Sequence, residues 1–336
     1  MRTSLKDIAN HLNLSISTVS RALSGGKDVS EKTRDMVLKA AAELNYRPNP
    51  LGLNLKRGNT NTIGVIVPEM ITPFAAEVIS GIQDLLNKYG YKIIIGNSEE
   101  DSQKEADNIL LMESFMVDGI IICPCDYKAN KKIYETLQLK NFPLVFYDRI
   151  PHGLDGTYVA VDDYHESFFM VEHLIRLKRK KIVYLQGPKT IYNSILRAKG
   201  YKNALAKFNI PFDKALVVES EMTFEDGKKA IQKLLNNKIH FDALFSFTEV
   251  LALGAMNCLK LNNFQIPRDV AISTFSGTFL SEIVYPQLSS VEQPLRMMGQ
   301  TAADLILEKI KNPITSNKKI TLHSNIQIRG STGVLK

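Results

Sequence analysis

Residues 4–23 read SLKDIANHLNLSISTVSRAL, and their capping and turn signals predict two short helices. Ser4 precedes an apolar run and is followed three positions later by an acidic residue, which is a capping-box pattern. Apolar residues then recur at helical spacing until Asn13, a residue type that tolerates the positive φ of a sharp turn. Ser15 is a good N-cap for a second helix at 16–23.

A third helix is predicted at 31–44, with Ser30 as its cap. Two short helices that cross at a small residue, here Ala9, form a helix-turn-helix. We expect its core to consist of Ile8, Ala9, Leu12, Leu14, Val19 and Ala22. The outer face of the second helix then carries Ile16, Ser17, Ser20 and Arg21. Such a face can enter a DNA major groove about 12 Å wide, although the pattern alone also fits an ordinary three-helix packing module.

Positive charge is concentrated near the N-terminus. The chain has a formal net charge of +7, and residues 1–60 carry ten Lys and Arg against five Asp and Glu. Most of the excess charge therefore lies in the first sixth of the chain, which suggests a polyanionic partner there. A basic surface that is merely solvated would give the same count.

The composition is that of an ordinary globular protein, with 44% hydrophobic and 23% charged residues. No apolar run approaches the roughly 18 residues of a membrane span. Lys6, Asp7, Asn10 and His11 interrupt any signal-peptide core. An odd number of cysteines, three, fits a reducing compartment. We therefore expect a cytoplasmic protein with no membrane partner.

From residue 62 onward, predicted strands and helices alternate. The strands are nearly continuous apolar runs, such as TIGVIV at 62–67, which is typical of parallel sheets covered by helices on both faces. About ten such strands in two sets predict two α/β lobes. Ligands bind such sheets beyond the carboxyl ends of the strands, so we expect a binding cleft between the lobes.

Few motifs suggest catalysis or metal binding. Cys123 and Cys125 have no third and fourth zinc ligand close in sequence, and His165 and His173 have no third partner. The sequence contains neither a phosphate-binding glycine loop nor a nucleophile elbow. We therefore expect no catalytic residue, no metal site and no cofactor.

Longer motifs indicate a family. Residues 45–58 read NYRPNPLGLNLKRG; together with TVSR at 18–21 and NTIGVIVP at 61–68, they resemble the lactose repressor/galactose repressor (LacI/GalR) family of transcription regulators. A looser match, IRGST, lies at 328–332. The resemblance covers essentially the whole chain.

The resemblance implies an N-terminal all-α helix-turn-helix domain at 1–47, a hinge helix or linker at 48–60, and a C-terminal α/β domain at 61–336. The C-terminal domain is expected to be periplasmic-binding-protein-like, with two parallel-sheet lobes that bind an effector and mediate dimerisation. The expected lobes comprise about 61–161 plus 292–318, and about 162–291 plus 319–336.

The family's DNA contacts carry over to particular residues. Ser17 and Arg21 match base-reading positions, and the segment matching Asn49–Lys56 is a hinge helix that folds when two protomers bind DNA. A leucine matching Leu55 wedges into the minor groove and kinks the duplex, because unstacking one base step permits further contacts. The candidate DNA-binding residues are Ser4, Ser15, Ile16, Ser17, Thr18, Ser20, Arg21, Asn49, Leu51, Leu55 and Lys56.

The effector contacts carry over less evenly. The candidates are Phe74, Asp148, Arg149, Asn193, Arg197, Glu249 and Ser276. A guanidinium suits ligand oxygens because it forms two parallel hydrogen bonds, although Arg149 and Arg197 also fit interlobe salt bridges. Family members often have aspartate at the positions of Glu249 and Ser276, so a cleft carboxylate is lost at Ser276. The resemblance therefore leaves two hypotheses, a neutral sugar or an anionic effector such as a sugar acid or sugar phosphate.

The combined expectation is a transcriptional repressor that binds a near-palindromic double-stranded operator as a homodimer, under allosteric control by a sugar or sugar derivative. One alternative is a periplasmic-type sugar-binding protein without enzymatic activity, which the N-terminal helix-turn-helix opposes. The other is an α/β enzyme such as a sugar kinase or isomerase, which the missing phosphate loop and acid/base pair oppose.

Leu55→Ala is expected to weaken specific operator binding by an amount on the order of a few kcal/mol, because the wedge that stabilises the kinked duplex is lost. Sugar binding is expected to remain intact. A gel-shift titration measures the first effect and calorimetry the second. Unchanged operator affinity would contradict the assignment of the wedge.

Overall fold

A computed structural model describes residues 3–26, 28–46 and 59–333. The chain divides into two compact units between Thr60 and Asn61. The predicted hinge residues Asn49, Leu51, Leu55 and Lys56 lie outside the described residues.

Three helices make up the described part of the first unit: α1 (Leu5–Leu12), α2 (Ile16–Leu23) and α3 (Glu31–Glu43). A serine precedes each helix, and its hydroxyl accepts a hydrogen bond from the backbone N–H three positions later. These bonds satisfy donors that the start of a helix leaves unpaired. Between α1 and α2, Asn13 has a φ of +53°, as the predicted sharp turn requires.

The helices bury a small apolar core, which consists of Ile8, Ala9, Val19, Ala22, Val37, Ala40 and Ala41. Four of the six predicted core residues belong to it. The other two, Leu12 and Leu14, are half-buried and pack against its edge, because they flank the turn between α1 and α2.

In the described residues, the second unit contains two six-stranded sheets. The first has the strand order β11-β5-β4-β3-β1-β2 and consists of β1 (Thr62–Val67), β2 (Lys92–Asn97), β3 (Gly119–Ile122), β4 (Leu144–Tyr147), β5 (Thr157–Val161) and β11 (Lys319–Leu322). The second has the order β12-β10-β9-β8-β6-β7 and consists of β6 (Ile182–Gln186), β7 (Val217–Glu219), β8 (Ala243–Ser246), β9 (Ala271–Thr274), β10 (Ser289–Glu292) and β12 (Asn325–Gln327). Neighbouring strands are parallel except for β10 and β12.

Helices connect the strands and cover the sheets. In chain order they are α4 (Pro73–Lys88), α5 (Ser102–Ser114), α6 (Lys131–Leu139), α7 (Asp163–Arg176), α8 (Tyr192–Lys207), α9 (Phe224–Asn236), α10 (Glu249–Leu261), α11 (Leu280–Ile283) and α12 (Leu295–Lys311). Apolar clusters lie between these helices and the strands, which accounts for the continuous apolar runs in the sequence. Among the described helices, none is long and apolar enough to cross a membrane.

The boundary predicted between the lobes near residue 318 is wrong. Strand β11 was assigned to the second lobe but pairs in parallel with β5 in the first. The reason is the path of α12, which packs against α4 and β3–β5 and so returns the chain to the first lobe. Ile320 and Leu322 are half-buried against the core, and the chain crosses back only at β12.

Glycines allow two helices of the second lobe to pack closely. A Cβ added at Gly254 on α10 would overlap the Phe224 carbonyl oxygen of α9. A Cβ added at Gly227 on α9 would likewise overlap the Leu251 carbonyl oxygen of α10. The backbones of α9 and α10 therefore approach more closely than any side chain at these positions would permit.

Gly254→Ala is expected to lower the free energy of unfolding by about 1–3 kcal/mol, because the added methyl forces α9 and α10 apart. Urea denaturation measures the change. Asn257→Ala, at an exposed position of the same helix, is the control and is expected to change stability by less than about 0.5 kcal/mol. Equal stability of the two variants would contradict the close crossing.

Candidate nucleic-acid interface and interlobe cleft

Helix α2 has one buried face and one exposed face. Val19 and Ala22 point into the core of the first unit. On the opposite face, Ile16 is 49% exposed, and Ser17 and Arg21 are exposed as well. A helix whose outer face carries a hydroxyl, an aliphatic group and a guanidinium can read base edges in a major groove.

The predicted hydroxyl contacts also stabilise the helix starts. Ser4 Oγ accepts a hydrogen bond from the Asp7 N–H, and Ser15 Oγ accepts one of 3.1 Å from the Thr18 N–H. Thr18 and Ser20 are half-buried on α2. Ser4 and Ser15 remain exposed, so capping does not remove their side chains from the surface.

At the carboxyl ends of the first sheet, Arg149 forms an ion pair within its own lobe, with a partner that the sequence analysis did not identify. Arg149 follows β4, and its two terminal nitrogens lie 2.6 and 2.8 Å from the two carboxylate oxygens of Glu100, which follows β2. Nη1 also lies 3.4 Å from the Pro124 carbonyl oxygen. The Arg149 side chain is only 12% exposed. The planar fork that was predicted to meet a ligand is therefore occupied by a carboxylate of the protein.

The second cleft arginine, Arg197 on α8, is buried and paired. Its Nε donates to Asp163 over 2.7 Å, and its Nη1 donates to the Phe247 carbonyl over 2.7 Å. Its guanidinium also lies 3.6 Å from the centre of the Phe275 ring. Burial raises the pKa of Asp163 above its ordinary value, while the positive charge of Arg197 opposes that rise.

A chain of hydrogen bonds joins the two lobes through three of the predicted residues. Asn193 donates to the Asp148 carbonyl over 3.2 Å. Gln293, which follows β10, donates to the Asp148 carboxylate over 2.8 Å and accepts from the Ser276 hydroxyl over 2.7 Å. Asp148 and Ser276 both have a φ of +56°, so a left-handed turn directs each side chain into the cleft region.

Two of the predicted effector contacts have roles within one lobe. The buried Glu249 carboxylate accepts hydrogen bonds from the backbone N–H and the hydroxyl of Thr278, and from the Ser281 hydroxyl. It thereby holds the loop after β9. Phe74 is half-buried near the start of α4 and packs against the main core.

A cavity of about 670 Å³ lies between the lobes, within the range of small-molecule sites. The first lobe lines it with Glu100 and Cys125, and the second with residues 188–191, 218–222 and one face of α9. None of the seven predicted effector contacts lines it directly. Arg149 contacts two residues that line the cavity. These are Glu100 and Met222, whose sulfur lies 4.0 Å from Arg149 Nη2.

Aromatic side chains of the two lobes are in contact beside this cavity. His152 of the first lobe stacks on Tyr192 of the second, with ring centres 4.4 Å apart. Tyr127 lies 5.7 Å from the same ring, and its backbone N–H donates to the Thr190 carbonyl over 3.0 Å. The structure thus has its lobes in contact at the Thr190 loop.

The cysteine and histidine motifs have structural environments. Cys123 and Cys125 are buried free thiols whose pKa values burial raises. His165 contacts Asp162 at 2.7 Å, and His173 lies 3.2 Å from the Thr332 hydroxyl. In residues 3–26, 28–46 and 59–333, no three His, Cys, Asp or Glu side chains group as metal ligands would.

Both units match known families. Residues 4–49 match the family described as "Bacterial regulatory proteins, lacI family". Residues 60–330 match "Periplasmic binding proteins and sugar binding domain of LacI family". This chain belongs to the lacI family. The predicted fold class, a helix-turn-helix followed by a periplasmic-binding-protein-like domain of two lobes, is therefore confirmed.

Individual relatives of this lacI-family protein are regulators, which confirms the expectation of a non-enzyme. The transcriptional repressor CytR of Escherichia coli (strain K12) is 32% identical over 331 residues, covering 98% of this chain and 96% of the repressor. The regulator CelR in complex with cellobiose has a TM-score of 0.75 and 25% identity, covering 98% of this chain and 100% of CelR. The lac repressor dimer bound to operator and the anti-inducer ONPF has a TM-score of 0.83 over 99% of both chains; at 23% identity it shows the shared fold.

Sequence reasoning missed Glu100, Asp163 and Gln293. Each follows a strand at its carboxyl end, namely β2, β5 and β10. A polar residue directly after a strand was the signal that could have identified them. The cleft candidates were instead drawn from the segments that follow other strands. Glu100 and Asp163 reach Arg149 and Arg197 through packing within one lobe, whereas Gln293 reaches Asp148 only because the two lobes meet.

Asp163→Asn is expected to lower the free energy of unfolding by about 3–5 kcal/mol, because it leaves the buried Arg197 without its counter-charge. Urea denaturation measures the loss. Asp162→Asn is the matched control: Asp162 is half-buried and caps α7, and asparagine caps a helix equally well. A similar decrease in the free energy of unfolding for the two variants would show that the Asp163–Arg197 pair does not stabilise the fold specifically.

Proposed function

We propose that this lacI-family protein is a transcriptional repressor that binds a near-palindromic DNA operator as a homodimer and responds to a saccharide between its lobes. The proposal depends mainly on α2. One face of this helix is exposed and carries Ile16, Ser17 and Arg21, and the opposite face is apolar and buried. The interlobe cavity in the same chain supports the saccharide response.

Helix α2 is the proposed recognition helix. Within the described residues, the Arg21 side chain makes one hydrogen bond, from Nε to the Ser17 carbonyl over 3.3 Å, so its two terminal nitrogens remain available. A guanidinium in that state can pair with O6 and N7 of one guanine. Ser17 and Ile16 add a polar and an apolar contact to neighbouring bases. The basic first unit strengthens the attraction to phosphate.

The homodimer and the hinge complete the DNA-binding proposal. Two copies of α2 would lie in successive major grooves about 34 Å apart, which matches a near-palindromic operator. The residues matching the family's hinge helix, among them Leu55, are proposed to kink the DNA between the half-sites. Because its target is genomic DNA, the protein is proposed to act in the cytoplasm.

The position of the cavity supports effector control. Residues of both lobes line it, so a ligand there binds one lobe arrangement more tightly than the other. That difference in affinity is what couples the ligand to DNA binding. The complex of the related CelR with cellobiose supports a saccharide as the class of effector.

Arg21→Ala is expected to lower affinity for the preferred duplex by about 1–3 kcal/mol and to relax selectivity at one base pair. The duplex is first selected from a random pool with the wild-type protein, and fluorescence anisotropy then measures affinity at fixed salt. Lys39→Ala, at an exposed position of α3, removes the same charge as a control. Loss of affinity without any loss of base selectivity would count against base reading by Arg21.

A further inference from the structure

The arginines of the cleft carry no uncompensated positive charge. Both terminal nitrogens of Arg149 are bonded to Glu100, at 2.6 and 2.8 Å. Arg197 is paired with Asp163 at 2.7 Å. An anionic ligand that approached either guanidinium would meet a positive charge that a carboxylate already balances.

The charged residues that line the cavity also cancel. Lys189 forms a salt bridge with Glu219, and Lys229 forms one with Asp226 at 3.5 Å. Of the remaining charged lining residues, Glu100 pairs with Arg149, and Glu221 and Lys233 carry opposite charges. A ligand with a net negative charge would lose its hydration on entering and meet no excess positive charge in return.

The backbone holds Glu100 in an unusual conformation. Glu99 and Glu100 have φ values of +52° and +58°, and in the described residues they are the only two consecutive non-glycine residues with positive φ. The Glu100 N–H donates to the Pro68 carbonyl over 2.9 Å. The left-handed region of backbone conformation is unfavourable for residues with a side chain. A residue keeps this strained conformation only where contacts with its surroundings hold it in place. Here it sets the Glu100 carboxylate against Arg149, at the cavity wall.

An arginine–glutamate pair with both partners at a ligand site suits hydroxyl groups. A hydroxyl accepts a hydrogen bond from a guanidinium and donates one to a carboxylate, whereas an ionised carboxylate only accepts. Glu100 is still 28% exposed in its pair with Arg149, so its oxygens are accessible to a ligand in the cavity.

We propose that Glu100 is the specificity-determining residue that excludes anionic ligands, so that the effector is a neutral saccharide rather than a sugar acid or sugar phosphate. This inference rests on the proposed function, because it concerns the ligand of the interlobe cavity. It replaces the hypothesis of an anionic effector. That hypothesis was based on the positive charges of Arg149 and Arg197, without the carboxylates that pair with them.

The first test uses inorganic phosphate as the probe and calorimetry as the readout. Glu100→Gln keeps the shape of the side chain but leaves the Arg149 charge uncompensated. Phosphate is therefore expected to bind this variant at least roughly tenfold more tightly than it binds the wild type. The double variant Glu100→Gln/Arg149→Gln is expected to lose that gain. The matched control is Glu99→Gln, because Glu99 is exposed and pairs with Lys104. Equal phosphate affinity in the wild type and Glu100→Gln overturns the proposal.

The second test needs only the wild-type protein and therefore does not depend on how well Glu100→Gln folds. Neutral saccharides and their charged counterparts are titrated in pairs: glucose with glucuronate, glucose with glucose 6-phosphate, and ribose with ribose 5-phosphate. In any pair that binds, the neutral member is expected to bind more tightly. Tighter binding of a charged member overturns the proposal.

The two tests separate failure of this inference from failure of the proposed function. If no saccharide, cellobiose included, binds the wild type or alters its binding to the selected duplex, the saccharide response is wrong. The phosphate titration of Glu100→Gln still decides the role of Glu100 in that case. If a charged saccharide binds best and does alter DNA binding, the proposed function stands and the inference falls.

Discussion

Charged groups buried between the two lobes must have partners, and this requirement governs the organisation of the cleft. The carboxyl ends of the parallel strands direct polar side chains towards the space between the lobes. Arg197 is 2% exposed and Arg149 is nearly buried, and an isolated charge there would cost several kcal/mol. Asp163 and Glu100 supply the counter-charges. The lobes can approach closely because these pairs leave the site electrically balanced.

Direct contacts also join the two lobes. Some of the links cross from one lobe to the other: Asn193 and Gln293 meet Asp148, and His152 stacks on Tyr192. Any ligand that fills the cavity must be accommodated among these links, and a different angle between the lobes would break some of them. Under the proposed function, these contacts are the ones that an effector would favour or oppose when it selects one lobe arrangement.

Local signals in the sequence predicted the first unit well, since serine caps and the Asn13 turn act over three or four residues. They predicted the parallel sheets because continuous apolar runs reflect burial on both faces. They failed at β11, a short strand of mixed polarity whose place depends on the path of α12. They also gave Arg149 and Arg197 the role of ligand contacts, because the spacing along the chain does not reveal a partner 49 or 34 residues away.

The sequence by itself determined the helix-turn-helix, the two α/β lobes and the family, because these depend on periodicity, caps and motifs carried by contiguous residues. Only the tertiary structure decided which carboxylates neutralise the cleft arginines, how Gln293 links Ser276 to Asp148, and where the cavity lies. The physical reason is that ion pairs and cavities form between residues distant in the chain. Their existence depends on packing within each lobe and between the two lobes, and no local pattern encodes that packing.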